Sequence, residues 1–160
     1  MKELETYIKR HSNSRPMHTI VVHCSATKEG VNYDREDIKK WHLARKFKDV
    51  GYHFVIKLDG AIELGRPLNQ IGAHVSGGNT GTIGICYIGG LDSEGKPKDT
   101  RTPEQKKALV ELVKILKDYI PTIKNVRGHR DYSKDLNKNG KIDPSEYIKA
   151  CPCFEVSDEF

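Results

Sequence analysis

The stretch that most constrains this chain is Thr19 to Thr27, TIVVHCSAT. Thr19, Ile20, Val21 and Val22 form an unbroken β-branched run, and Cys24, Ser25 and Thr27 then turn away from it. A short apolar run closed by turn-forming residues reads as an inner strand. His23 stands at the tip of that run. A histidine there is held rigidly from behind and can face a cleft, as a metal ligand, a general base or a hydrogen-bonded structural residue. The stretch itself leaves these alternatives open.

Taken in order, residues 1–17 are polar and read as a tail or a short helix ending before Pro16. After the strand at 19–23, residues 28–33 form a loop around Gly30. Asp34, with Asp37 at the third helical position, caps a helix through about Phe47. In it Ile38, Trp41 and Ala44 recur at three-residue steps and share a face, with Trp41 as a core anchor. Asp49-Val50-Gly51 breaks the chain. Residues 52–58 read as a strand, Asp59-Gly60 as a hairpin turn, and residues 61–64 as the antiparallel return. Period two puts Tyr52, Phe54 and Ile56 on one face and His53, Val55 and Lys57 on the other, which makes His53 structural.

The segment GAHVSGGNTG, residues 72–81, is a glycine-rich loop of the kind that lets backbone approach a ligand. Residues 82–88 form another apolar strand, and residues 91–101 a polar, exposed loop. Thr102-Pro103-Glu104-Gln105 opens a helix that runs to about Tyr119, with Ala108, Leu109, Leu112, Val113 and Leu116 on one face and Pro121 as its stop. Val126-Arg127 is a short strand leading to Gly128-His129-Arg130-Asp131, and a helical turn runs from Pro144 into Cys151. Strands and helices interleaved around a hairpin predict an α/β fold, a single domain with a central mixed β-sheet flanked by helices.

The 160 residues suit one domain. No run approaches the roughly 18 apolar residues of a membrane span. The first sixteen residues lack an apolar signal region, so the chain reads as cytoplasmic as synthesised. A net charge of +5 favours anionic partners, but the basic residues are scattered, so neither nucleic acid nor membrane is expected, and a monomer is the default. Cys24 and Cys86 sit in apolar runs as small hydrophobes, while Cys151 and Cys153 flank Pro152. All four read as reduced thiols, and the question is which of them ligates a metal.

His23, His129 and Cys151 each end an element beside a turn. Two imidazoles and a thiolate fill three tetrahedral positions and leave the fourth free, the arrangement of a catalytic zinc. Seven histidines and four cysteines allow other triples, so the residues alone leave this as one candidate set.

Five segments carry a resemblance in order: VVHCSAT at 21–27, DVGYHFVIKLDG at 49–60, IGICYIGG at 83–90, VRGHRD at 126–131 and KACPCF at 149–154. The chain resembles, over about residues 18–156, the zinc-dependent N-acetylmuramoyl-L-alanine amidases, the group that includes amidase-type phage lysozymes and peptidoglycan recognition proteins. The resemblance implies an amidase domain over 18–160 with zinc in a surface groove, held by His23, His129 and Cys151. The ligand follows Lys-Ala in that family, which selects Cys151 over Cys153. Tyr52 and Lys149 fall on its catalytic positions. His74 is similar to a groove histidine of the relatives, and Asn79 and Thr80 in the same loop are candidate substrate contacts. The implied reaction is zinc-dependent hydrolysis of the amide between N-acetylmuramic acid and L-alanine, with peptidoglycan or muropeptides as partners. A phage or prophage lysis enzyme would act on the cell wall after release.

That chemistry suits these residue types. Zinc lowers the pKa of bound water to about 7 in favourable sites. Lys149 can place positive charge near the tetrahedral oxyanion, and Tyr52 can hydrogen-bond the water or the tetrahedral centre. The matched positions offer no separate carboxylate base. The alternative is a non-catalytic peptidoglycan-binding module of the same fold, but retention of Cys151, Tyr52 and Lys149 favours the enzyme. A glycosidase needs two facing carboxylates, and no such pair is readable.

Between His129 and Cys151 the segment DLNKNGKIDPSE, residues 135–146, fits the twelve-residue calcium-loop template. Asp135, Asn137 and Asn139 take its first side-chain positions, and Gly140 takes its turn. Lys141 would offer a carbonyl, and Asp143 and Glu146 complete the set. An Asn-Gly turn followed by a capped helix accounts for the same residues.

Overall fold

The computed structural model describes residues 1–147 and 149–160. In chain order its elements are α1 (Lys2–His11), β1 (Thr19–Cys24), β2 (Thr27–Lys28), α2 (Arg35–Ala44), β3 (Phe54–Ile56), β4 (Ile62–Leu64), β5 (Thr82–Tyr87), β6 (Gly90–Leu91), α3 (Pro103–Tyr119) and β7 (Asn125–Gly128). Five strands make one mixed sheet in the order β4-β3-β5-β1-β7, in which only the β3/β4 pair is antiparallel. β2 and β6 pair separately. β1 lies inside the sheet with every residue buried, as its β-branched run requires.

The two faces of the sheet are unequal. On one, Ile20, Val22, Phe54, Ile56, Ile83, Ile85 and Tyr87 pack under α1 and α3, with Ile8, Leu109, Leu112 and Leu116 inserted between them. Burying each such aliphatic side chain contributes about 2 kcal/mol. On the other face Val55, Cys86 and Ile88 meet Ile38 of α2 and Val50 in a much smaller cluster. Elsewhere on that face Val21 and His23 are also buried, the His74 ring covers Gly84, and a groove forms beside it.

Local chemistry explains the helix ends. Asp34 and Asp37 form a reciprocal cap on α2, and Thr102 and Gln105 form one on α3, where Pro103 fits the first turn. The buried Gln105 amide also donates to the carbonyl of Ile88 at 2.9 Å, and the Thr102 hydroxyl donates to that of Leu58 at 2.7 Å, which fixes α3 against the sheet end. α1 carries Glu3 and Glu5 in its first turn and Lys9, Arg10 and His11 in its last, in keeping with the helix dipole.

Several local expectations are corrected. Trp41 is not a core anchor: it is 38% exposed and stacks edge-on against Tyr33. The inward stripe of α2 is Ile38 and His42, four residues apart, and Ala44 faces solvent. The helix stops at Ala44, short of Phe47. Tyr52 does not share a face with Phe54 and Ile56. The chain is not yet in the strand at residues 51–53, so period two does not reach back to Tyr52, which packs on the Val55 and Cys86 side. The loop at 91–101 is mostly exposed, but Arg101 is buried, paired with Asp99 and Glu159. The turn from Pro144 is a short helical turn that ends at Glu146 and does not run on to Cys151; Ile148 lies outside the described residues.

Candidate metal centre and groove

Register builds the centre. β1 and β7 are adjacent and parallel, with Val22 paired to Gly128, so His23 and His129 emerge side by side at the carboxyl end of the sheet. That end is where open α/β sheets present their sites. Their ring centroids are 4.7 Å apart. Cys151 is tied to β1 and to the turn after β7: its sulfur accepts from the backbone N–H of Cys24 at 3.1 Å, and its carbonyl accepts from that of Arg130 at 2.8 Å. Gly128 permits this approach, because a Cβ there would lie 2.8 Å from Cδ of Pro152. The ligand atoms of His23, His129 and Cys151 all lie within 4.8 Å of one another, and among the described residues no other group of three histidine, cysteine or acidic side chains converges in this way.

Burial sets the charge states. His23 is held well below its usual pKa by burial, with His74 and His129 adding to the effect. Burial, then the Lys149 ammonium, lowers His129 to about 4. Both imidazoles are therefore neutral at pH 7, with lone pairs to offer. The Cys24 thiol is pushed up to about 12, chiefly by its hydrogen bond with Cys151. Cys153 turns elsewhere: its thiol donates to the carbonyl of Gly90 at 3.3 Å and lies 4.0 Å from the Cys24 sulfur. Of the two cysteines flanking Pro152, only Cys151 joins the histidines.

A groove of about 480 Å³ opens beside the triad, lined among others by His42, Tyr52, His74, Asn79, His129 and Lys149. The Tyr52 ring lies 5.0 Å from that of His23 and 5.4 Å from that of His42. Burial, reinforced by the Cys86 and Cys151 thiols, keeps its phenol pKa well above the usual value, so it is a neutral donor at pH 7. Lys149 is exposed at the rim. In the glycine-rich loop, His74 has both ring nitrogens engaged, at 2.9 Å from Nε2 of His23 and 3.2 Å from the Thr82 hydroxyl. Oδ1 of Asn79 accepts from the backbone N–H groups of His74 and Val75, each at 2.9 Å. Thr80 is exposed and does not line the groove. His53 is a scaffold residue: its Nδ1 accepts from the Gly84 N–H at 3.0 Å, and its other nitrogen meets the Gln70 carbonyl at 2.7 Å.

Sequence reasoning passes over His42, Arg45, Phe47 and Tyr132, all of which line the groove. His42 is signalled only by its position four residues after Ile38. Nδ1 of His42 accepts from the Gly51 N–H at 2.8 Å, which anchors the turn that presents Tyr52. The Arg45 guanidinium sits 5.2 Å over the Phe47 ring at the rim.

In the segment 135–146, the Asp135 carboxylate accepts from the N–H groups of Gly140 at 2.8 Å and Asn139 at 3.2 Å. The buried Glu146 carboxylate accepts from those of Asn137 at 3.0 Å and Asp143 at 2.8 Å. The side-chain amides of Asn137 and Asn139 both donate to Asp143, so their N–H₂ groups face that carboxylate. Lys141 contributes a backbone N–H to the Asn139 side chain at 2.9 Å.

An open α/β sheet with a partly buried His-His-Cys group at its carboxyl end, two imidazoles and a thiol that could hold a metal ion, defines an α/β protein with a candidate metal site. Comparison with known proteins narrows this class. The profile of the N-acetylmuramoyl-L-alanine amidase family matches residues 13–146. The endolysin of Klebsiella phage KP32 is 36% identical over 151 residues, covering 94% of this chain and 87% of the phage protein. The endolysin of Escherichia phage T7 is 38% identical over 138 residues, covering 86% and 81%. Among solved structures, the N-acetylmuramoyl-L-alanine amidase LysC from Clostridium intestinale URNW superposes with a TM-score of 0.65 at 26% identity, over 87% of this chain and 78% of LysC. The chain belongs to the N-acetylmuramoyl-L-alanine amidase family, and it is a peptidoglycan hydrolase of that kind.

Proposed function

We propose that His23, His129 and Cys151 hold a zinc ion, and that Tyr52 and Lys149 act beside it to cleave the amide between N-acetylmuramic acid and L-alanine. One observation carries the reading: adjacent strands deliver two neutral imidazoles next to a sulfur that lies within 4.8 Å of both. That donor set suits zinc, since neutral nitrogen and thiolate sulfur are its preferred ligands and three of them leave a position for chemistry. When bound, zinc supplies a Lewis acid that polarises the carbonyl and makes water nucleophilic near pH 7.

The chain's own residues do the rest. Tyr52, kept protonated by burial, offers a hydrogen bond that orients the attacking water. Lys149 brings a positive charge to the groove where the amide oxygen gains negative charge. Arg45 and Asn79 are placed to meet the polar stem peptide along the groove. Thr80, directly after Asn79, is exposed and does not line the groove. Retention of all five functional positions favours hydrolysis over simple recognition of the wall.

We also read the protein as a monomer that reaches peptidoglycan after release from a cell, with no nucleic-acid or membrane partner. The phage endolysins among its relatives support action after release, and the scattered basic residues argue against a nucleic-acid or membrane partner. No helix among the described residues is long and apolar enough to cross a membrane. The loop 135–146 fits calcium by its complete twelve-residue template and equally fits an Asn-Gly turn followed by a capped helical turn; calcium binding would require the Asn137 and Asn139 amides to turn their oxygens inward.

The test is digestion of purified peptidoglycan by the zinc-loaded protein, with new amino groups and new reducing ends scored together. New α-amino groups on alanine without reducing ends are expected. Reducing ends would make the protein a glycosidase. Wall binding with neither product would make it a recognition module.

A further inference from the structure

The hydrogen bonds of the glycine-rich loop run in one direction, toward a metal ligand. The Thr82 hydroxyl oxygen lies 2.7 Å from the Gly78 carbonyl oxygen and 3.0 Å from that of Asn79. Oxygens this close repel unless a proton lies between them, so the Thr82 hydroxyl must donate to these carbonyls. Toward its third neighbour, Nε2 of His74 at 3.2 Å, the same oxygen is then an acceptor, and His74 carries its proton on Nε2. A neutral imidazole protonated there has only a lone pair at Nδ1. That lone pair faces Nε2 of His23 at 2.9 Å, so His23 must donate from Nε2. The lone pair His23 has left for a metal is on Nδ1. A doubly protonated His74 would reverse the last bond and add a positive charge beside a dication, which Coulomb repulsion opposes.

We infer that His74 is a positioning residue for the metal: the relay Thr82–His74–His23 fixes His23 in the tautomer whose Nδ1 is free to ligate. This rests on the zinc reading above and replaces the expectation that His74 contacts substrate, since both of its ring nitrogens are already committed. The seat of the ring supports the assignment. A Cβ on Gly84 would lie 2.7 Å from Cγ of His74, and one on Gly72 would lie 2.7 Å from its Cδ2, so two glycines leave the space the ring fills. Asn79 clamps the backbone of the same residue. The His74 and His23 rings meet at 89°, with centroids 5.0 Å apart, so they meet edge to face rather than stacked. A group that orients a ligating histidine typically changes metal affinity by about 10–100-fold when removed.

The experiment uses the full chain labelled with ¹⁵N-histidine and loaded with zinc. Long-range ¹H–¹⁵N correlation should find both His74 and His23 protonated at Nε2. Zinc affinity by chelator competition should fall about 10–100-fold in His74→Ala. Much of it should return in His74→Asn, whose amide oxygen can replace the Nδ1 acceptor. Thr82→Val should weaken zinc severalfold and Thr82→Ser should not, and this pair decides the matter if His74→Ala fails to fold. His23 protonated at Nδ1, or equal affinity in Thr82→Val and Thr82→Ser, overturns the relay. None of these readouts involves substrate. A protein that shows the relay but releases no alanine amino groups would refute the hydrolase and leave the relay standing.

Discussion

Val22 and Gly128 are register partners on adjacent parallel strands, and the residue after each is a histidine. This pairing turns two residues more than a hundred positions apart into one half of a metal site. It also places Gly128 against Pro152, next to Cys151, so one backbone position serves all three ligands. Gly128→Ala drives a Cβ to 2.8 Å from a proline ring that has no freedom to swing away. The expected cost is about 1–3 kcal/mol of stability, as for other overpacked sites. Urea denaturation of metal-free protein gives the stability, and chelator competition should show weaker zinc in the same variant. Wild-type values for both would contradict the packing described here.

Arg101 ties the segment that follows Cys151 to the body of the domain. Its side chain is 2% exposed, pairs with Glu159 at 2.7 Å and Asp99 at 2.9 Å, and lies 3.3 Å over the Phe154 ring. Arg101→Met leaves two partly exposed carboxylates without their partner and removes the stacking. A loss of about 2–4 kcal/mol is expected, discounted for the exposure of the two acids. The thermal midpoint should fall accordingly. An unchanged midpoint would show that the C-terminal segment is held by its apolar contacts alone.

Acid should destabilise the metal-free protein between about pH 6.5 and 4. Burial, followed by Arg45, lowers His42 to about 4, and burial also lowers His53 to about 4. Unfolded histidines titrate near 6.5. Within that window the unfolded chain binds protons that the folded chain refuses, so stability is full above 6.5, falls as pH drops, and levels off below about 4. Each histidine contributes roughly 2–3 kcal/mol to this loss. Urea midpoints at pH 7, 5.5 and 4 measure it, and His53→Gln should flatten the slope. A midpoint independent of pH would contradict the buried neutral state of both rings.

Much of this architecture is legible in the sequence wherever the signal is local. The β-branched run of β1, the paired caps at Asp34 and Thr102 and the Asp59-Gly60 turn each depend on neighbours a few residues away. Tyr52 is misplaced because period two holds only inside a strand, and β3 begins at Phe54. Trp41 is misplaced because a large apolar side chain outweighs, in a pattern, the histidine beside it that actually points inward. Register is the part that stays hidden. Nothing near Val22 or Gly128 announces their pairing, so the His-His-Cys set rests on a family resemblance until the strands are seen side by side. The relay through His74 needs the fold as well, since Thr82, His74 and His23 lie on three different segments.

The loop at 135–146 offers a metal-removal test. If it takes calcium, calcium added to the calcium-depleted, zinc-loaded protein should raise the thermal midpoint by a few degrees. Glu146→Gln, which removes the template's bidentate ligand, should abolish the calcium response. A midpoint indifferent to calcium would leave the segment as an Asn-Gly turn followed by a capped helical turn.

The most direct test of the account measures zinc content and muramoyl–alanine cleavage on the same samples of wild type, Cys151→Ala and Cys153→Ser. About one zinc per chain is expected in wild type, as a three-ligand site with one open position holds. New alanine amino groups should appear in proportion to it. Cys151→Ala should lose both the metal and the activity, whereas Cys153→Ser should keep both. Full cleavage by Cys151→Ala, or loss of zinc in Cys153→Ser with Cys151 intact, would contradict the assignment of the site.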